Sequence, residues 1–244
     1  SSRCIDTRKG EALPGVTAAL TSKDFPIIGD QVIDLAETQG NVRLMAEHVM
    51  AHEKALYKGH AVAAIAATSL HLAEHAISLI YVDYEVLHDV TDVLEAMKYD
   101  APVLHERLAI LENANNRPGG LRDDDDTEKA TNISNHFFFE LGDTDQGFKD
   151  ADIVVEREFR TATVHQGYIE PHAATVLWNA DGKMTIWCSS QGHFNVRDQT
   201  SQILGVPVSN IKVVQMEIGG GFGGKTLVYL EPVTALLAKK TGHP

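Results

Sequence analysis

The feature that most constrains the fold of this chain is a cluster of glycines near its end. Residues 219–226 read Gly-Gly-Gly-Phe-Gly-Gly-Lys-Thr. A strand-like run over residues 211–218 precedes the cluster, and a helical pattern over residues 228–240 follows it. Because glycine has no Cβ atom, the backbone can bend sharply here and can come close to a bound group. The sequence therefore predicts a strand, a tight loop able to approach a ligand, and a helix.

The same cluster matches the phosphate-binding pattern G-x-x-x-x-G-K-[ST] through Lys225 and Thr226, in which backbone N–H groups and a lysine hold a nucleotide. This hypothesis also needs an aspartate at the end of another strand to hold Mg²⁺. Residues 227–244 leave no room for that strand, and residues 153–159 do not end in an aspartate. A P-loop nucleotide-binding protein stays an alternative, as does a loop whose glycines only permit a tight turn.

The charge and the hydropathy of the chain restrict its partners. A formal net charge of -13 opposes binding to nucleic acid or to an anionic membrane, because both require a positive surface. The longest uncharged apolar stretch, residues 61–72, is too short and too rich in Thr, Ser and His to span a bilayer. We therefore expect no nucleic-acid partner, no membrane span and a cytoplasmic location.

The two cysteines, Cys4 and Cys188, lie far apart and form no C-x-x-C pattern. Neither a disulfide framework nor an iron–sulfur cluster can be assembled from them. The acidic run Asp-Asp-Asp-Asp at residues 123–126 also lacks the alternate spacing and the glycine turn of a calcium loop. We interpret this run as a solvated acidic loop. Because the cysteines cannot form an iron–sulfur cluster, we expect any such cluster to lie on a partner subunit.

Hydrophobic periodicity predicts both strands and helices along the chain. A strand over 62–67, a helix over 69–79 and a strand over 80–84 suggest a β-α-β unit whose two strands share one sheet. An Asp-Gly pair at residues 181–182 predicts the turn of a hairpin. The other predicted elements are strands over 16–20, 136–141, 153–159, 173–178 and 184–188, and helices over 145–151 and 195–204.

Four sequence blocks stand out in the second half of the chain: residues 165–172, 190–192, 204–207 and 219–225. In order and spacing they resemble the molybdenum-binding large subunit of xanthine dehydrogenase/aldehyde oxidase-type molybdenum hydroxylases. Upstream, residues 5–7, 11–16, 62–63 and 82–85 resemble the α/β hammerhead domain of that family.

The resemblance covers nearly the whole chain and implies an α+β fold with two domains. Residues 1–95 would form an N-terminally truncated α/β hammerhead domain. Residues 96–134 would form a connecting segment that contains the acidic loop. Residues 135–244 would form the first part of the molybdopterin-binding domain.

The resemblance also implies a set of cofactor-binding residues: Gln191, Gly192, Gly221, Phe222 and Gly223. In the family, a glutamine at the position of Gln191 approaches the apical oxo group of the molybdenum, and Phe222 is likewise close to the metal. A neutral amide can donate a hydrogen bond to such an oxygen without adding charge. Without the resemblance, Gln191 would be interpreted as a strand-end glutamine bound to backbone.

Other residues have more restricted interpretations. Thr226 stands where purine-oxidising relatives carry a substrate-binding glutamate, so the resemblance places Thr226 at the substrate and argues against purines. We interpret His165, Glu170 and His172 as a packed structural corner and assign them no catalysis. The general-base glutamate of the family is expected beyond Pro244. We therefore expect no catalytic residue within this chain, and we expect the chain alone to be inactive.

The implied function is the hydroxylation of an aldehyde or an N-heteroaromatic substrate with water as the oxygen source. The implied cofactor is molybdenum-molybdopterin in the full-length complex, with 2Fe-2S clusters and FAD on partner subunits of a hetero-oligomer. The partners would be the Fe-S subunit, the FAD subunit and the remaining C-terminal part of the large subunit. Besides the P-loop hypothesis, a non-catalytic assembly module remains an alternative.

Overall fold

A computed structural model of the chain describes residues 2–29, 31–34, 39–106, 132–133 and 141–244. The chain divides into two compact units, one formed by Ser1–Leu87 with His165–Pro244 and the other by His88–Val164. Helices and strands both occur, as the predicted α+β class requires. None of the helices in these residues is long and apolar enough to cross a membrane.

The N-terminal part of the first unit is built from short strands that pair antiparallel. The elements are β1 (Ser2–Asp6), α1 (Arg8–Glu11), β2 (Val16–Leu20), β3 (Val32–Asp34), β4 (Gln39–Asn41), α2 (Val42–Val49), β5 (Ala64–Ala67), α3 (Leu70–Ser78) and β6 (Tyr81–Tyr84). Strand β1 pairs with β6, β2 with β5, and β3 with β4. Ser69 caps helix α3 by accepting a hydrogen bond from the Leu72 N–H at 3.3 Å.

The predicted strand-helix-strand order around α3 is confirmed, but the prediction that its two strands share one sheet is wrong. Strand β5 lies in a sheet with β2, whereas β6 lies in a separate sheet with β1. The prediction assumed that strands joined by a helix are neighbours. Here β5 pairs with the N-terminal strand β2, and β6 pairs with β1. Such pairing between distant parts of the chain cannot be predicted from local periodicity.

The second unit, His88–Val164, contains two short helices among its described residues. They are α4 (Val93–Ala96) and α5 (Thr144–Asp150), and Asp92 and Asp143 accept hydrogen bonds from the first N–H groups of each. The predicted strand over 153–159 is wrong, because these residues have no regular structure and all are exposed. β-Branched and aromatic residues favour a strand, but a strand forms only when a neighbouring strand pairs with it. The acidic loop at 123–126 and nearly all of the predicted strand over 136–141 lie outside the described residues.

The C-terminal part of the first unit carries a three-stranded sheet and two helices. The elements are β7 (Ala174–Trp178), β8 (Met184–Cys188), α6 (His193–Leu204), β9 (Ile211–Gln215) and α7 (Glu231–Thr241). The strand order is β7-β8-β9: β7 and β8 form the predicted antiparallel hairpin, and β9 runs parallel to β8. Gly182 has the positive φ of 84° that the hairpin turn needs.

The hydrophobic core of this unit lies where the sheet packs against α6 and α7. Val176, Ile186, Val196, Ile203 and Ala235 are all 0% exposed. Residues alternate between buried and partly buried along β8, as expected for a strand with one face on a core. Packing of this core holds the sheet in place. The position of the sheet in turn determines where the ends of its strands lie.

Candidate functional site

The candidate site lies where the parallel strands β8 and β9 end. Because parallel strands point in one direction, the segments that follow them meet at the same edge of the sheet. The Met216 N–H, just after β9, donates to the Cys188 carbonyl at the end of β8, at 3.0 Å. Beyond this bond, the segment that contains Gln191 and the glycine loop, residues 219–225, lie side by side.

Gln191 is bound to this loop through both its backbone and its side chain. Its backbone N–H donates to the Lys225 carbonyl at 2.9 Å, and the Ser190 hydroxyl donates to the same carbonyl at 3.1 Å. Its side-chain Oε1 accepts from the Gly223 N–H at 2.9 Å and from the Lys225 N–H at 3.1 Å. Two N–H donors identify this atom as the oxygen of the amide, so Nε2 must be directed elsewhere.

The Nε2 atom of Gln191 makes no hydrogen bond with the part of the chain that the structure describes, and the residue is exposed. The side chain therefore presents two N–H donors to solvent or to a ligand. Its oxygen binds backbone, as expected for a strand-end glutamine, while its nitrogen remains available. The amide and the glycine loop form one surface, as the resemblance implies.

Three glycines of the loop are required by close contacts. A Cβ atom on Gly221 would lie 2.4 Å from Gln191 Oε1, and one on Gly224 would lie 2.7 Å from Tyr168 Cε1. On Gly219 it would lie 2.6 Å from the Cβ of Glu170. These distances are shorter than any ordinary carbon contact, so the loop packs closely against its neighbours as well as turning.

Phe222 stands at an unusual position in the loop. Its φ is 49°, in the left-handed region that non-glycine residues seldom adopt, and its side chain is 72% exposed. Gly220 and Gly223 on either side also have positive φ, 98° and 87°. The loop thus holds an apolar ring in a largely exposed position.

Lys225 and Glu170 form an ion pair beneath the loop. The Lys225 ammonium donates to Glu170 Oε2 at 2.6 Å, and the Lys225 side chain is only 1% exposed. The same oxygen accepts from the Gly219 N–H at 2.7 Å. The Lys225 hydrogen bond, followed by the Gly219 N–H, lowers the pKa of the Glu170 carboxyl below its ordinary value. Sequence reasoning missed this pair, since its members lie 55 residues apart.

The geometry does not support the P-loop alternative. A phosphate-binding lysine must reach a ligand at the mouth of the loop, but the Lys225 ammonium is buried and paired with Glu170. In a P-loop the following helix begins at the Lys-Thr pair, so that its N-terminus faces the phosphates. Here α7 begins only at Glu231, and Thr226 lies outside any helix.

The corner formed by residues 165–172 packs against the loop. The hydroxyl of Tyr168 lies 2.9 Å from Nε2 of His172, and the ring of Tyr229 lies 5.0 Å from the His172 ring. Burial lowers the pKa of His172, which favours the neutral ring. These contacts agree with the structural interpretation of His172. Glu170, in contrast, contacts the loop directly.

The remaining predicted site residues lie next to the loop. Gly192 is the N-cap residue of α6, and its N–H donates to the Ser190 hydroxyl at 3.0 Å. Thr226 follows Lys225 and is half-buried. Burial raises the pKa of the Cys188 thiol to about 12, which keeps this nearby sulfur protonated. Within the described ranges, no group of three or more His, Cys, Asp or Glu side chains could hold a metal ion directly.

Comparison with protein-family models gives two matches. The molybdopterin cofactor-binding domain matches residues 126–244. The a/b hammerhead domain of aldehyde oxidase and xanthine dehydrogenase matches residues 3–88. The two matches follow each other in the order that the sequence blocks predict.

Among curated proteins, the probable hypoxanthine oxidase XdhD of Escherichia coli is 30% identical over 260 residues, which cover 98% of this chain and 26% of that protein. The carbon monoxide dehydrogenase large chain of Afipia carboxidovorans is 34% identical over 242 residues, covering 97% of this chain and 28% of that protein. This chain therefore spans about a quarter of the length of these relatives.

Solved structures give the same picture. The aldehyde oxidoreductase from Desulfovibrio gigas superposes with a TM-score of 0.74 at 25% identity, covering 99% of this chain and 24% of that one. Reconstituted CO dehydrogenase from Oligotropha carboxidovorans gives a TM-score of 0.71 at 32% identity, covering 97% and 28%. The similarity extends over both halves of the chain.

Proposed function

This chain belongs to the xanthine dehydrogenase/aldehyde oxidase family of molybdenum hydroxylases, and we propose that it contributes one wall of the cofactor site in a large subunit of that family. The fold comprises a hammerhead domain and the first part of a molybdopterin-binding domain. The complete protein would hydroxylate an aldehyde or an N-heteroaromatic compound, with water as the source of oxygen.

The observation that carries the proposal is the orientation of the Gln191 amide. The loop N–H groups of Gly223 and Lys225 bind its oxygen, which leaves the two N–H donors of Nε2 for a ligand. A neutral donor held in place by its surroundings suits an electron-rich oxygen of the cofactor, because no reorganisation is needed when charge develops there. When bound, the molybdenum cofactor supplies the redox and oxygen-transfer chemistry.

The other loop residues fit an extended cofactor at the same surface. Gly221 and Gly223 bring backbone close to Gln191 without side chains in between, and Gly192 continues this surface toward α6. The exposed ring of Phe222 would cover the apolar edge of the site and exclude water from it. These residues would bind and orient the cofactor, and none of them would transfer a proton.

Thr226 bears on the choice of substrate. It is half-buried beside the loop and carries no charge. A carboxylate at this position would hydrogen-bond a purine ring, whereas a threonine offers only a short hydroxyl. We therefore propose an aldehyde or a small N-heteroaromatic ring as the substrate class.

The wider assembly is also part of the proposal. Electrons would pass to 2Fe-2S clusters and FAD on separate subunits, and the general-base glutamate would lie outside residues 1–244. The hammerhead domain would comprise residues 1–95 and the molybdopterin-binding part residues 135–244, joined by residues 96–134. The assembled complex would be cytoplasmic.

The test is metal and pterin analysis of the full-length complex together with oxidation assays on aldehydes and N-heteroaromatics. We expect stoichiometric molybdenum and activity on one of these classes. Gln191→Leu should lower kcat by roughly 10²–10³-fold, as the loss of a single oriented donor does in other enzymes. The matched control Gln202→Leu, at an exposed glutamine of α6, should leave kcat unchanged.

Two outcomes would favour the alternatives. An intact complex that carries no molybdenum would indicate a non-catalytic assembly module. Binding of ATP with Mg²⁺, abolished by Lys225→Met, would support a nucleotide site despite the buried ammonium.

A further inference from the structure

A single carboxylate oxygen joins the two ends of the glycine loop. Glu170 Oε2 accepts from the Gly219 N–H at 2.7 Å, where the loop begins, and from the Lys225 ammonium at 2.6 Å, where it ends. Both bonds have a charged partner and belong to the stronger class of hydrogen bonds. Glu170 is thus placed to set the separation of the loop ends.

Lys225 links Glu170 to Gln191, because its backbone is hydrogen-bonded to Gln191. Its N–H donates to Gln191 Oε1 at 3.1 Å, and its carbonyl accepts from the Gln191 N–H at 2.9 Å. The carbonyl also accepts from the Ser190 hydroxyl at 3.1 Å. A displacement of the Lys225 backbone would therefore change every one of these bonds at once.

The buried charge makes Glu170 indispensable to this arrangement. The Lys225 side chain is 1% exposed, and a buried ammonium requires a compensating partner. Within the described residues, Glu170 is the only carboxylate that forms an ion pair with it. The ring of Tyr168, with its centroid 5.0 Å from Nζ, adds a weaker cation–π contact.

We propose that Glu170 is a positioning residue whose carboxylate closes the glycine loop and thereby orients the Gln191 amide toward the cofactor. Its consequence for the cofactor rests on the proposed function, whereas the closure of the loop does not. Glu170 contacts neither substrate nor reacting atoms in this account, and it acts only through Gly219, Lys225 and Gln191.

The first test is hydrogen exchange of the loop amides in the full-length complex carrying Glu170→Gln. Loss of a hydrogen bond to a charged group should make exchange roughly 10- to 150-fold faster. We expect this acceleration at the N–H groups of Gly219, Gly223 and Lys225, together with loss of molybdenum. The matched control Glu217→Gln, an exposed glutamate just before the loop, should change neither.

A second variant separates positioning from charge compensation and covers the case in which Glu170→Gln does not fold. The double variant Glu170→Gln/Lys225→Met removes both charges and keeps an oxygen acceptor for Gly219. We expect it to restore the melting temperature, while Gly223 and the residue 225 N–H still exchange fast and molybdenum stays low. Wild-type exchange rates and wild-type molybdenum in the double variant would overturn the proposal, because Glu170 would then only neutralise a buried charge.

The two proposals fail in different ways. If the wild-type complex carries no molybdenum but Glu170→Gln still accelerates exchange at Gly223, the proposed function fails and the positioning role stands. If the wild-type complex carries molybdenum and Glu170→Gln leaves the exchange at Gly223 unchanged, the positioning role fails and the proposed function stands.

Discussion

The core beneath the three-stranded sheet and the glycine loop at its edge are stabilised in contrasting ways. In the core, Val176, Ile186 and Ile203 are fully buried and interact through apolar contacts that have no direction. At the loop, buried Lys225 depends on one carboxylate, and the orientation of the Gln191 amide depends on two N–H groups. Many apolar contacts together stabilise the core, whereas a few directional hydrogen bonds determine the geometry of the site.

Single substitutions in the core and at the loop should therefore have different effects. Loss of a core side chain should lower the free energy of unfolding and leave the local geometry of the loop intact. A change at the loop should alter the amide of Gln191 even when the fold survives.

Ile186→Ala should lower the free energy of unfolding by about 2–5 kcal/mol, because it leaves a cavity at a residue that is 0% exposed. Urea denaturation measures this loss. In the folded protein, exchange at the Gly223 N–H should remain as in the wild type. The matched control Ile27→Ala, at a fully exposed isoleucine, should stay within about 0.5 kcal/mol. Equal losses in the two variants would contradict the location of the core.

Gly221→Ala should cost about 1–3 kcal/mol of stability, because its Cβ would lie 2.4 Å from Gln191 Oε1. Unlike the core variant, it should also displace the amide and reduce molybdenum content in the complex. Gly147→Ala is the control, since a Cβ there meets nothing within 4 Å and the residue lies within helix α5. Normal molybdenum content in Gly221→Ala would break the proposed link between loop and cofactor.

Acid should loosen the loop before the core. The pKa of Glu170 is lowered in the fold, so its charged form adds stability above its ordinary value of 4.5 and this stability is lost as the pH falls through the lower folded value. We expect the exchange protection of the Gly219 N–H to fall as the pH drops below about 4.5. The N–H of Ile186 in the core should keep its exchange protection. An equal loss of protection at Gly219 and Ile186 would contradict the expected difference between the loop and the core.

The smallest effect should come from an exposed ion pair. Lys98 and Glu95 pair with side chains that are 57% and 65% exposed, in contrast to Lys225 beneath the loop. Solvent and salt screen such a pair strongly. Lys98→Ala should therefore leave the melting temperature unchanged within error, while Lys225→Met should lower it. Similar shifts in the two variants would show that burial does not distinguish these pairs.

Local signals in the sequence predicted the elements that short-range physics determines. The Asp-Gly pair ending at Gly182 predicted the β7–β8 hairpin, and hydrophobic periodicity predicted helix α6 with its end at Leu204. The approach of Gln191 to the glycine loop was implied by the family resemblance. The parallel pairing of β8 with β9 accounts for it physically.

Contacts between residues far apart in the chain could not be predicted from local sequence patterns. Strands β5 and β6 were predicted in position but not in pairing, because their partners β2 and β1 are chosen by tertiary packing. Residues 153–159 were also predicted as a strand, yet no neighbouring strand pairs with them among the described residues. Lys225 and Glu170 each belong to a motif that the sequence shows, but only the fold brings the two residues into contact.

An experimental structure of the cofactor-loaded, full-length complex would show directly where the Gln191 amide points. We expect Nε2 of Gln191 to be the protein donor closest to an oxygen of the cofactor, with Oε1 still bound to the N–H groups of Gly223 and Lys225. An amide turned away from the cofactor, or a nucleotide phosphate chain inside the loop, would contradict it.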